Sequence, residues 1–265
     1  MSFLDFLFSP KKNKAITESC ADNTNFPSQT ALKIAELLGC KCSHIAPCKN
    51  PKSVWNKYLA ACDGDCDCTP LLIKVSDTLL EMLEINYSEC GGAAAYRQQI
   101  LSADTSGGEE FLISRYNEMC SETLLKSKAD ELSDTDDEYV SEGYDMSISI
   151  NDDGICHEFI LAYIPVKPWE IVAYVPFGGW NDCPDSEDIV KACRFFYEKY
   201  QAVPCLISSD VLEMYLPEPV SEGEAFHLAE LMYGFDYDIV DQGCGSIKAL
   251  AELISRSRLW YFWWD

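Results

Sequence analysis

Four aspartates with the spacing for acid–base work fall in two short glycine-bearing stretches and at the last residue. Asp182 lies in Phe177-Gly178-Gly179-Trp180-Asn181-Asp182-Cys183-Pro184. Asp238 and Asp241 lie in Phe235-Asp236-Tyr237-Asp238-Ile239-Val240-Asp241-Gln242-Gly243, and Asp265 brings a side-chain and a terminal carboxyl group to one place. Clustered carboxylates can divide the acid and base roles of a hydrolysis when their environments separate their pKa values, or hold a cation. Gly178-Gly179 would let backbone approach a ligand closely. Asn181 and Gln242 offer amides, and Trp180 and Trp264 offer aromatic walls. The candidate pocket is therefore Gly178, Gly179, Trp180, Asn181, Asp182, Asp238, Asp241, Gln242, Trp264 and Asp265. Against it stands a plainer reading: a structural turn pinned by Trp180, and a solvated acidic loop anchored by Tyr237 and Ile239. The first stretch is not a phosphate loop. It lacks the P-loop lysine and the Rossmann glycine spacing, and Asp182, Asp185, Glu187 and Asp188 would repel an anion from the helix that follows.

Other reactive residue types give less pattern. The fourteen cysteines are densest in Cys40-x-Cys42-x5-Cys48 and Cys62-x3-Cys66-x-Cys68. Cys62 and Cys66 have nearly the separation of a zinc-binding thiolate pair, and the Cys-x-Cys pairs fit less well. Without an export signal at Met1–Pro10, the even count reads as reduced thiols of an intracellular, cytoplasmic protein rather than a disulfide framework. Asp63-Gly64-Asp65-Cys66-Asp67 starts like a calcium loop, but Cys68 and Lys74 stand where glycine and glutamate are needed. His44, His157 and His227 form no zinc-binding pair, and the serine elbow G-x-S-x-G is absent. Arg194 falls at the edge of a helical stripe, where pairing with a carboxylate explains it. No cofactor is called for.

Charge narrows the partners. The net charge is −24. Residues 144–265 carry −14 of it, and 129–143 hold seven carboxylates and no base. Such a surface repels phosphates, so nucleic acid and anionic membranes are excluded as partners of that half, and a basic protein or cations suit it. No apolar run reaches the length of a membrane span. Phe3, Leu4, Phe6, Leu7 and Phe8 followed by Lys11, Lys12 and Lys14 resemble a membrane-surface helix too short to anchor alone.

The elements that must position these residues can be read from capping and periodicity. Ser28 caps a helix ending at Gly39, with Leu32, Ala35 and Leu38 facing inward. Asn50-Pro51 opens a second helix, carrying Val54, Trp55 and Tyr58. Pro70–Val75 reads as a buried strand, Ser76 or Asp77 caps the next helix, and helices follow at 92–102 and 109–126. Residues 1–15 form a loose terminus, 16–126 a mostly helical region and 127–143 an acidic linker, with 144–265 an α+β domain. In that domain Met146–Ile150 and Cys156–Ile164 are expected as a hairpin about Asp153-Gly154. Glu170–Val175 is expected as a central strand buried on both faces. A helix follows Pro184 and Asp185, with strands at 203–208 and 211–216. Ser221 and Glu224 form a capping box, and Ser246 caps the last helix. That helix leads into Trp260-Tyr261-Phe262-Trp263-Trp264, expected as a second central strand. The fold class is α+β: a mixed sheet packed by helices in the C-terminal half and a mostly helical N-terminal half.

Gly178–Pro184, the Arg194 helix, Asp238–Gly243 and Trp260–Asp265, in that order, resemble a bacterial family catalogued as a domain of unknown function whose members end in Trp-x-Phe-Trp-Trp-Asp. The resemblance covers roughly residues 165–265 and implies no reaction. Two functions remain open. One is a non-enzymatic binding protein, immunity- or antitoxin-like, presenting its acidic half to a basic protein. The other is a small-ligand enzyme or hydrolase using the clustered carboxylates.

Overall fold

The computed structural model describes residues 26–47, 50–64, 67–122, 143–151 and 156–264. Its centre is a six-stranded mixed sheet. The strands are β1 (Lys41–Ile45), β2 (Thr69–Lys74), β3 (Phe159–Ile164), β4 (Val203–Ile207), β5 (Val211–Tyr215) and β6 (Leu259–Trp263). Their spatial order is β1-β3-β2-β4-β5-β6. Among the described strands only β2 and β4 pair in parallel, with Leu72 opposite Leu206; β3 is antiparallel to both β1 and β2. The two halves of the chain thus share one sheet, with β3 inserted between two strands from the N-terminal half.

Alternation along the strands sends side chains to two unequal cores. Leu71 and Ile73 of β2, Ile160 and Ala162 of β3, Leu212 and Met214 of β5, and Trp260 and Phe262 of β6 enter the larger core. It is roofed by α1 (Gln29–Leu38), α3 (Asp77–Glu89), α4 (Ala93–Ser102), α5 (Gly108–Glu122), α7 (Ser186–Tyr200), α8 (Glu222–Phe235) and α9 (Ile247–Ile254). Leu72, Phe159, Leu161 and Leu259 enter the smaller core under α2 (Pro51–Cys62), whose Val54, Trp55 and Tyr58 are buried there. The caps form as their residue types require: the hydroxyls of Ser28, Ser76 and Ser246 accept from the N–H groups of Ala31, Leu79 and Ala249, and Gly39 closes α1 at φ 59°.

Several expectations are corrected. Ile148–Asn151 is a short helix, α6, not a strand. The reason lies 64 residues away: buried Glu213 on β5 accepts hydrogen bonds from Ile148 N (3.2 Å) and Ser149 N (2.9 Å) and captures the Ser149 hydroxyl. Pro168–Ala173 is a 3-10 helix rather than a central strand. The Lys167 N–H donates to the Glu170 carboxylate at 3.1 Å, and Tyr174 N and Val175 N both turn back to Ile171 O, so the apolar run is buried by curling rather than by pairing. The terminal strand forms, but among the described strands β6 is an edge strand, paired only with β5. β1 is an additional strand that the sequence reading passes over. In α1 the inward residues are Ala31, Ile34 and Leu38, while Leu32 is 47% exposed. The Ser221 hydroxyl donates to the Glu224 carboxylate instead of capping backbone. The N-terminal segment, Cys48, Cys66, residues 127–142, the Asp152–Gly154 turn and Asp265 lie outside the described residues.

Candidate functional site

The 177–184 loop is wound on itself. Gly178 and Gly179 have φ of 91° and 78°, and Asn181 also sits at positive φ (47°). The Gly179 N–H donates to Pro184 O at 3.1 Å and Cys183 N to Trp180 O at 3.0 Å. A Cβ on Gly178 would fall 1.9 Å from Pro184 O. The close backbone approach that the glycines permit is therefore to the loop's own carbonyl.

The three segments named from sequence do meet. The Tyr237 hydroxyl donates to the Asp182 carboxylate at 2.5 Å. Arg115 of α5 bridges the loops, donating from Nη2 to Asp182 O (2.7 Å) and from Nε to Gly234 O (2.8 Å). The Phe177 ring centroid lies 4.9 Å from that of Trp180 and 5.5 Å from that of Trp264, and Trp264 is 2% exposed. Residues Ile239–Cys244, expected as a loop, form a π-helical turn. Gln242 Nε2 donates to Asp238 Oδ1 (2.7 Å), and the Tyr233 hydroxyl to the Asp241 carboxylate (3.4 Å). Each of these carboxylates is thus taken up by a neighbour. The Asp182 carboxylate and then burial push the Tyr237 phenol above its ordinary range, and burial followed by Asp241 does the same to Tyr233. Asp236, 1% exposed, accepts from Trp263 N (2.7 Å) and Asp238 N (3.0 Å), and burial drives its pKa well up. It satisfies a backbone donor of the edge strand. This constellation cements the end of the chain to the body of the protein.

An open polar cleft lies elsewhere, at the carboxyl ends of the parallel pair. Its volume is about 400 Å³, and Lys74, Ser76, His157, Ser208, Asp210 and Trp263 are among the residues that line it. Lys74 closes β2, and Ser76 is the N-cap of α3. Ser208 and Asp210 form the β4–β5 turn: the Ser208 hydroxyl donates to Asp210 Oδ1 at 2.8 Å and accepts from Val211 N at 3.0 Å. Trp263 Nε1 donates to Asp210 Oδ2 at 3.3 Å. On the opposite wall Lys74 Nζ reaches Ser149 O at 3.4 Å, so the helix imposed by Glu213 also shapes the cleft. Sheets with parallel strands bind ligands in such crevices, outside the carboxyl ends of the strands.

A smaller crevice of about 40 Å³ runs along β6, lined mainly by apolar residues such as Met232, Leu250 and Trp260. Among the described residues no group of three or more His, Cys, Asp or Glu side chains could hold a metal ion. Cys62 is exposed at the end of α2. Cys68 is disulfide-bonded, against the expectation that all the thiols are reduced. Arg194 pairs with Glu198 at 2.7 Å and donates to the Thr105 hydroxyl at 2.7 Å, as its helical position implied.

Residues 160–265 match a domain of unknown function (DUF4253). No curated protein and no solved structure matches the chain. The matched stretch holds both glycine-bearing loops and the β4–β5 turn. It stops short of Lys74, Ser76, Ser149 and His157, so the cleft straddles the matched domain and what precedes it. Among the described residues no helix is long and apolar enough to cross a membrane. Sequence reasoning missed this cleft because its walls are the ends of two strands about 130 residues apart in sequence that become neighbours only through the parallel pairing of β2 with β4. The signal available was local: a lysine closing one apolar run and Ser-Ser-Asp closing another.

Proposed function

We propose that the protein binds a small polar ligand carrying an anionic group in the cleft at the carboxyl ends of β2 and β4. The observation that carries this reading is the placement of Lys74 and His157 together in a cleft of about 400 Å³ within a chain of net charge −24. A partly enclosed cation there attracts an anion far more strongly than one on the open surface. Lys74 and His157 would take the anionic group, Ser76 and Ser209 would hydrogen-bond to hydroxyls, and Trp263 and Tyr261 would form a flat wall for an apolar or ring portion. Asp210, held by Ser208 and Trp263, would select against ligands that are anionic throughout. The test is isothermal calorimetry with inorganic phosphate and a series of small hydroxy-carboxylates. Binding that weakens at least about tenfold in Lys74→Met, a loss of about 1.4 kcal/mol, supports the reading. Equal heats for the wild type and the variant overturn it.

A second reading rests on charge alone. The acidic C-terminal half suits a basic protein partner in the cytoplasm of a bacterial cell, in the manner of an immunity protein or antitoxin. Affinity purification at low ionic strength, where electrostatic steering is strongest, tests it; the absence of any co-purifying basic protein removes its basis. A hydrolase built on Asp182, Asp238 and Asp241 draws less support, because those carboxylates are engaged by Tyr237, Gln242 and Tyr233.

A further inference from the structure

We propose that Cys40 and Cys42 form a redox-active dithiol in which Cys40 attacks low-molecular-weight disulfides and Cys42 resolves the mixed disulfide. Cys42 lies at the start of β1, an edge strand that among the described strands pairs only with β3, and Cys40 lies in the bend just before it. Cys42 stands opposite Ala162, whose side chain faces the larger core. Cys40 precedes the strand, and its side chain and that of Cys42, both half-buried, pack against that core's rim. Residues two apart in an extended strand are about 6.6 Å apart between Cα atoms. That is at the upper edge of the Cα span of a disulfide, and the Cβ atoms stand about as far apart, beyond the usual span of about 3.5–4.5 Å, so the end of the strand must bend to close the bond, which makes it strained and reducible rather than a permanent staple.

A fixed cation sits beside the first thiol. Arg97 of α4 donates from Nη2 to Leu37 O (2.8 Å) and Leu38 O (2.7 Å), the last carbonyls of α1. Its guanidinium stacks over the Tyr174 ring at 4.1 Å and lies 5.9 Å from the Tyr87 centroid. Nη1 comes within 3.8 Å of where a side chain on Gly39 would begin, an ordinary contact distance that sets the cation beside the residue preceding Cys40. These Arg97 partners are neutral carbonyls and rings, which leaves its charge to act on the neighbouring sulfur. The thiols are correspondingly unequal. A hydrogen bond from Cys42 lowers the Cys40 pKa; burial opposes this and Arg97 reinforces it. The same contact raises Cys42. A thiol that ionises more readily beside one that keeps its proton is the division of labour that exchange requires.

In the first step the Cys40 thiolate attacks one sulfur of the incoming disulfide. A protein–small-molecule disulfide forms, the original S–S bond breaks and one thiolate leaves. Cys42 then gives its proton to that leaving thiolate and attacks the Cys40 sulfur, forming the Cys40–Cys42 disulfide and expelling the second thiolate, which takes up a proton from solvent. The two protein thiols lose two electrons, and the small disulfide becomes two thiols.

The experiment challenges the reduced full-length chain with glutathione disulfide, quenches in acid, alkylates the remaining thiols and maps peptides by mass spectrometry. The wild type should yield the Cys40–Cys42 disulfide first. Cys42→Ser should accumulate glutathione on Cys40, and Cys40→Ser should carry none on Cys42. Independently of any variant, iodoacetamide at pH 7 should label Cys40 about tenfold faster than Cys90, which is also half-buried. Cys40 reacting no faster than Cys90, or adducts scattered over other cysteines in Cys42→Ser, would overturn the proposal.

Discussion

Glu213 offers the sharpest test of how this sheet is held. It is fully buried on β5, and its carboxylate accepts from Ile148 N at 3.2 Å and Ser149 N at 2.9 Å, giving α6 a cap from a distant strand. Glu213→Ala leaves the buried Ser149 N–H and the half-buried Ile148 N–H without acceptors, at up to about 1–3 kcal/mol each. A loss of about 2–6 kcal/mol is expected, a large share of the roughly 5–15 kcal/mol that stabilises a typical domain. Glu213→Gln keeps the volume but turns an amide N–H toward a donor, so its cost is expected at the lower end, about 1–3 kcal/mol. The pH dependence carries a definite sign. Burial raises the Glu213 pKa, against the hydrogen bonds from Ser149 and Ile148. A raised carboxyl contributes its full stability below the ordinary glutamate range and loses it as pH rises through the raised value. The glutamine variant has no such loss, so its deficit relative to wild type should shrink from pH 5 to pH 8. Urea unfolding of the three proteins at both pH values measures this. An alanine cost below about 1 kcal/mol, or a glutamine deficit that grows with pH, would refute the reasoning.

Three further outcomes follow from the same geometry. Gly178→Ala would place a Cβ 1.9 Å from Pro184 O at φ 91°; a loss of more than about 2 kcal/mol in chemical denaturation is expected, since strained backbone and overpacking combine. Trp264→Ala removes a side chain 2% exposed that packs on Phe177, Phe235 and Phe262. It should cost about 3–5 kcal/mol, or about 6–20 °C in Tm by calorimetry, and an unchanged Tm would mean that the chain end is not integral. At Glu158, burial acts to raise the pKa but is outweighed by hydrogen bonds from Ser28 N (2.9 Å) and His44 Nε2 (2.7 Å), so the pKa is lowered. Its contribution is present above the ordinary glutamate pKa and lost as pH falls through the lowered one. Glu158→Gln should therefore destabilise at pH 7 and converge on wild type at pH 3.

Local chemistry was legible in the sequence and long-range chemistry was not. Ser28, Ser76 and Ser246 announced three helices because a capping hydroxyl acts within its own first turn. Leu259–Trp263 announced a strand because no helix of that length buries so many aromatics in succession. Whether that strand lay at the centre or the edge could not be read from it, since Asp236, α8 and α9 cover the edge from other parts of the chain. Met146–Ile150 has the alternation of a strand and becomes a helix under the control of Glu213. Ile171–Val175 is apolar enough for a strand, yet Pro168 and Glu170 start a turn first. Of the sites, the convergence of the 178–184 loop, the 236–243 loop and Trp264 was foreseeable from their composition. The cleft was not, because Lys74 and Asp210 become neighbours only when the topology is known.

The insertion of β3 between β1 and β2 bears on how the chain is made. Among the described strands β1 pairs only with one that lies 114 to 122 residues downstream, from Ile45↔Phe159 to Lys41↔Tyr163, and β2 meets β4 later still. Such distant pairing slows folding, because the loops must close before any contact rewards them. While the protein emerges from the ribosome, the edge of β2 that faces β4 stays unpaired until residues beyond 207 have left the exit tunnel. By the same token a fragment cut at residue 160 would carry a β3 whose two neighbours are missing, and it should need the first half of the chain, supplied in trans, to complete its sheet.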